Sequence, residues 1–130
     1  MGSRQGRLAV CLGILAALAA GGAMAGTGIM QHDTSLGAVL TDAKGMTLYT
    51  FDNDMGGKSA CYDKCAQNWP PLLAPGGAMA EGDFGMTERS DGQMQWTYYG
   101  QPLYLWIKDQ APGDVTGDGV NGVWHVAKPQ

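Results

Sequence analysis

Basic side chains are scarce in this sequence, and none of them cluster. Eight Lys and Arg stand against twelve Asp and Glu in 130 residues. A chain without a basic patch repels a phosphate backbone, which argues against nucleic acid as a partner. Beyond the first 25 residues there is no apolar run approaching the ~20 residues that span a bilayer. Long helical runs are few and glycine is abundant, at 21 residues, so a helical bundle is excluded. No Ser sits in a G-x-S-x-G context, and His125 has no sequence-evident nucleophile partner. No catalytic residue is therefore assigned.

What is present starts with a leader. Arg4 and Arg7 give a positive start, Leu8 to Ala20 an apolar run, and Ala23-Met24-Ala25 a small-residue cleavage site before Gly26. The sequence predicts a cleaved signal peptide over residues 1–25, which takes Cys11 with it. The remaining 105 residues carry six Lys and Arg against twelve Asp and Glu, a net charge of −6. That length suffices for one modest domain over residues 26–130, periplasmic or secreted, with no transmembrane span.

Two cysteines remain, Cys61 and Cys65 in SACYDKCAQNW. In an oxidising compartment a pair this close is most simply a local disulfide. Its rival is a redox-active dithiol, although the spacing is C-x-x-x-C and no strand–helix pattern surrounds it.

Sliding the chain over itself by 55 residues exposes a duplication. Gly37 falls on Gly92, Gly45 on Gly100, Leu48 on Leu103, Tyr49 on Tyr104, Asp54 on Asp109, Asp63 on Asp118 and Trp69 on Trp124. Phe51 falls on Trp106. Glycine-rich composition alone would give roughly two or three such identities. Repeat one runs over about 35–75 and repeat two over about 84–129, with the Pro/Gly/Ala-rich PPLLAPGGAMAEGD between them.

Each repeat opens on a hairpin signal, the first around Asp42 to Gly45 and the second around Tyr99-Gly100-Gln101. In the second, Met94, Trp96 and Tyr98 alternate with Gln93, Gln95 and Thr97. The return strand, with Leu103, Leu105 and Ile107 opposite Tyr104 and Trp106, is apolar on both faces and so central. After each hairpin the fillings differ. One is expected to hold a short helix near residues 59–67, with Ser59 as its N-cap candidate. The other, QAPGDVTGDGVNGV, is a glycine loop that cannot hold a helix. The predicted fold is mainly β: two pseudo-symmetric hairpin-based repeats packed as a small sandwich or barrel-like domain.

Within each repeat Tyr49 and Phe51, or Tyr104 and Trp106, lie two apart and face the same way on a strand. Asp54 and Asp109 follow where the strand ends, placed to accept backbone N–H bonds from the next turn. The pattern reads as an aromatic plug and a corner. The alternative is that two Tyr–Asp pairs line a shared binding cleft.

These residues resemble a known family, the bacterial predicted lipoproteins and secreted-repeat proteins with a tandem Tyr-x-(Phe/Trp/Tyr)-x-x-Asp motif. Tyr49 to Asp54 and Tyr104 to Asp109 both fit it. So do Cys61 and Cys65 leading into Trp69-Pro70-Pro71-Leu72, and Tyr99-Gly100-Gln101-Pro102. The ending from Gly113-Asp114 through Trp124-His125-Val126 fits as well. The family implies no established activity. Many members carry a lipidated cysteine after the leader and this chain has none, which favours a protein without a lipid anchor.

Metal chemistry is the remaining question. Soft Met and His ligands suit copper, but Met30, Met46, Met55, Met79, Met86 and Met94 are scattered, as are His32 and His125. Asp114, Asp118 and Asn121 have the oxygen donors of a cation loop, without the EF-hand spacing. No metal and no cofactor are assigned. The favoured function is an exported non-enzymatic module binding an envelope partner or a small ligand, the alternative a copper-handling or thiol-redox periplasmic protein. The binding candidates are Tyr49, Phe51, Asp54, Trp69, Tyr104, Trp106, Asp109, Trp124 and His125. Trp96 and Tyr98 are further candidates for a shallow groove.

Overall fold

The computed structural model describes residues 26–130; the leader expected over residues 1–25, Cys11 included, lies outside the described residues. Among the described residues the fold is mainly β, with seven strands in three small antiparallel sheets, one short α-helix and no closed barrel. Strand β1 (Met30–Thr34) pairs with β2 (Gly37–Thr41), β3 (Tyr49–Phe51) with β7 (Trp124–Val126), and β4 (Phe84–Glu88) with β5 (Met94–Tyr98) and β6 (Gln101–Pro102). Helix α1 (Lys64–Asn68) and a 3-10 turn at Val120–Gly122 complete it.

The two repeats are visible in the backbone. Gly37 and Gly92, and Gly45 and Gly100, all have φ between 79° and 94°. Side chains rarely adopt that region, so the glycine identities mark shared turns. Leu48 and Leu103 are both 0% exposed, each burial worth about 1.5–3 kcal/mol.

Neither repeat closes on itself. In repeat one Leu48 N–H donates to Leu40, Leu40 N–H to Ala127, and Ala127 N–H back to Leu48, at 2.8–2.9 Å. In repeat two Leu103 N–H donates to Trp96, Trp96 N–H to Leu72, and Leu72 N–H back to Leu103, at 2.9–3.0 Å. Each hairpin is thus plugged by the tail of the other repeat. Between them Tyr49 and Tyr104 exchange both backbone hydrogen bonds, at 2.8 and 2.9 Å. These are equivalent residues, so a pseudo-two-fold axis runs through that pair. The connector is drawn into the fold by the same logic, with Pro71 bridging Tyr104 and Leu73 bridging Gln95.

Several local expectations need correction. The return strand is central at Tyr104, flanked by Tyr49 and Pro71, but Ile107 lies in a turn and is 52% exposed. The helix starts only after Asp63, and Ser59 does not cap it. The second excursion holds a single 3-10 turn, opened by Gly119 at φ 83° and carrying Asn121 at φ 54°. The polar side of β5 is not solvent-facing: Gln95 is 0% and Thr97 6% exposed. Strands β1 and β4, which precede the two hairpins expected from sequence, have no counterpart in them, and β1 lies ahead of the start expected for repeat one.

Candidate functional site

The two Tyr-x-aromatic-x-x-Asp motifs meet at the axis and exchange partners. Tyr49 Oη donates to Asp109 Oδ2 at 2.6 Å, and Tyr104 Oη donates to Asp54 Oδ2 at 2.7 Å. Each acid also holds its own loop. Asp54 Oδ1 accepts from Ala60 N–H at 2.7 Å, and Asp109 Oδ1 from Thr116 N–H and Oγ1 at 3.0 and 2.5 Å. The corner role expected of the acids is therefore present. A cleft shared by the two Tyr–Asp pairs is not, because both tyrosines are fully buried.

Burial, then the bond to Asp109, pushes the Tyr49 phenol well above its ordinary pKa, against a smaller pull from Gly117 N–H. Tyr104 is raised by burial, opposed by the Ser59 hydroxyl and supported by Asp54. Because the Tyr104 hydroxyl gives its hydrogen bond to Asp54, Ser59 Oγ donates to the phenol oxygen at 2.6 Å. The Asp54 carboxyl is itself raised by burial, partly offset by Tyr104, Ala60 N–H and the Arg89 charge. All of these shifts favour the uncharged form of a group removed from water.

The motif aromatics form one ladder. Trp106 stacks on Trp69 (centroids 3.9 Å apart, 25° between planes), Trp69 on Trp124 (3.8 Å, 2°) and Trp124 on Phe51 (4.1 Å, 9°). The 55-residue shift exchanges Trp69 with Trp124 and Phe51 with Trp106, so the four-ring order is palindromic about the axis. Tyr49 meets Trp69 edge-on at 5.3 Å and Tyr104 meets Trp124 edge-on at 5.1 Å. Trp69 and Trp124 are buried, while Phe51 and Trp106 at the ends are half-buried. Gly117 is required by the ladder: a Cβ there would lie 2.8 Å from Trp69, 2.9 Å from Tyr49 and 3.0 Å from Trp106. The Trp106 Nε1 is buried and has no hydrogen-bond partner among the described residues.

Both ends of the ladder open into clefts. Trp106 shares one of about 740 Å³ with Ile107, Lys108, Gln110, Thr116 and Val120. The Lys108 ammonium lies 5.8 Å from the Trp106 ring centroid. Phe51 and the edges of Trp69 and Trp124 share another, of about 470 Å³, with Cys65 and Asn121.

Cys61 and Cys65 form a disulfide, with Cys61 fully buried against the ladder. The other candidates lie apart. His125 and Asp52 form an exposed pair at 2.8 Å. Asp114 Oδ2 accepts from Gln110 and Ala111 N–H, and Asp118 Oδ1 from Val126 N–H. Among the described residues no group of three or more His, Cys, Asp or Glu is arranged to hold a metal ion. Trp96 and Tyr98, expected to line a groove, are core residues at 2% and 8% exposure.

Sequence reasoning missed Arg89. It is 4% exposed, and its guanidinium donates to Ser59 Oγ, Gln95 Oε1 and the Cys61 carbonyl at 2.8–3.1 Å. Its cation also sits over Tyr62, 4.4 Å from the ring centroid. A buried polar network this complete fixes the disulfide loop of repeat one onto the sheet of repeat two. A lone Arg beside Glu88 gives no sequence signal, because position 34 in repeat one is Thr.

Fold and site together define a duplicated, disulfide-bonded β module whose halves interlock through paired motifs. The chain belongs to the family described as a secreted repeat of unknown function, whose sequence model matches it twice, over residues 31–73 and 85–128. No curated protein and no solved structure matches the chain. No helix among the described residues is long and apolar enough to cross a membrane.

Proposed function

We propose that this protein is an exported, non-enzymatic binding module of the cell envelope or periplasm. It takes a partner or small ligand that presents a flat ring to the Trp106 end of the ladder. The observation that carries this reading is the half-buried Trp106 in its open cleft, beside the exposed Ile107 and the Lys108 ammonium. A flat indole with an apolar rim and a few polar neighbours suits stacking. The hydroxyl and carboxylate groups that would serve catalysis are instead committed to one another in the core, which supports binding over chemistry.

The test is a titration of nitrogen-labelled protein with soluble oligosaccharides and a water-soluble porphyrin, followed at the tryptophan indole N–H signals. A saturable shift of the Trp106 signal, lost in an Ile107→Asp/Lys108→Glu variant, is expected. Silence at Trp106 with every probe would remove the basis of the proposal.

A further inference from the structure

We propose that the aromatic ladder is a one-electron relay, in which an electron taken from Trp106 at the surface is replaced through the stacked indoles from Tyr49 and Tyr104. Three observations point there. The indoles of Trp106, Trp69 and Trp124 are in face-to-face contact, with centroids 3.8–3.9 Å apart and no saturated side chain between them. Each inner indole touches one phenol edge-on, Trp69 with Tyr49 and Trp124 with Tyr104. Each phenol already points its proton at a carboxylate oxygen, 2.6 or 2.7 Å away.

The chemistry differs along the ladder in the sense a relay needs. An oxidised indole that cannot pass its N–H proton to a base keeps its positive charge and remains a strong oxidant. Trp106 is in that position, since its Nε1 has no partner among the described residues. A phenol loses its proton on oxidation, so it traps the vacancy only where an acceptor is at hand. Tyr49 and Tyr104 both have one. The ladder is also one-sided: Phe51 stands where repeat two has Trp106, and a benzene ring is far harder to oxidise than an indole. The relay opens at the Trp106 cleft, and at the other end the Phe51 ring covers the outer face of Trp124.

A one-electron oxidant of indole, such as a peroxyl radical or a high-valent metal complex, removes one electron from Trp106. Trp69 refills Trp106, and Tyr49 refills Trp69. The Tyr49 hydroxyl proton passes to Asp109 Oδ2, leaving a neutral tyrosyl radical, a protonated Asp109 and a reduced oxidant. The branch through Trp124 ends in the same way, on Tyr104 and Asp54. Nothing in this sequence requires a ligand in the cleft, so it stands independently of the binding role.

The test places the oxidant by design. A ruthenium photosensitiser is attached at Lys108→Cys, beside Trp106, and flashed in the presence of a soluble electron acceptor. Transient absorbance and freeze-trapped electron paramagnetic resonance should show an indole radical converting to a neutral tyrosyl radical, more slowly in heavy water. In a Tyr49→Phe/Tyr104→Phe background the tyrosyl signal should vanish and the indole radical should live several-fold longer. Replacing the more exposed phenols instead, with Tyr62→Phe/Tyr99→Phe, leaves the ladder untouched and should leave the tyrosyl yield unchanged. An indole radical that never yields a tyrosyl radical would overturn the relay, as would a tyrosyl signal lost with Tyr62 and Tyr99.

Discussion

Alkali should unfold this protein through its two buried phenols. Tyr49 and Tyr104 are both 0% exposed, and burial is the leading cause that holds each above the ordinary phenol pKa of 10.0. A group with a raised folded-state pKa gives stability that is complete below its unfolded pKa and is lost as the pH climbs from there toward the folded value. In that window, opening at about pH 10, each phenol removes at most about 1.4 kcal/mol per pH unit, and the two together about 2.7 kcal/mol. The slope does not depend on how far the pKa has moved; only the width of the window does. Tyr104→Phe takes away one of the two slopes. It also leaves Asp54 Oδ2 without its donor, which costs about 1.5–3 kcal/mol at neutral pH for a bond to a charged group. Urea unfolding between about pH 8 and pH 11, read by circular dichroism with phenolate absorbance alongside, separates the two effects. The variant should start lower and fall about half as steeply. Native dichroism persisting while every phenol titrates near its ordinary value would refute the argument, as would an unchanged slope in the variant.

Other perturbations follow from the same contacts. Gly117→Ala drives a methyl against Trp69, Tyr49 and Trp106 and should cost about 1–3 kcal/mol, seen as a lowered thermal midpoint. Reducing the Cys61–Cys65 disulfide releases a loop of about five residues and should cost about 2 kcal/mol. A melt with and without a phosphine reductant should show a shifted but still cooperative transition. His125→Ala breaks an exposed pair with Asp52 and should change stability by less than about 1 kcal/mol, within a few degrees on the same melt. Arg89→Met leaves Gln95 Oε1 and the Cys61 carbonyl without the donor they share and should cost about 2–4 kcal/mol, measured by urea unfolding.

The duplication, the mainly β class, the short helix and the disulfide were legible because each has a local cause. A 55-residue shift aligns turn glycines, motif tyrosines and tryptophans, and a close cysteine pair needs no long-range information. The exchange of partners was not legible. Tyr49 lies 60 residues from Asp109, and Tyr104 lies 50 from Asp54. Nothing in either motif says that its acid serves the other repeat's phenol. The short return strand misled for a related reason. Ile107 continues the apolar alternation, but Asn68 takes its N–H and the chain turns there. Gln95 reads as a solvent-facing strand residue until Arg89 and the Leu103 carbonyl are seen to satisfy its amide.

The claim on which these expectations rest is that each half completes the other's hairpin and the other's Tyr–Asp pair. Splitting the chain in the connector into fragments 26–76 and 77–130 and recording amide spectra of each, alone and mixed, tests it directly. Collapsed, undispersed spectra for either fragment alone and a dispersed, stoichiometric spectrum on mixing are expected. A fragment that folds by itself and is unchanged by its counterpart would contradict the interlocked architecture.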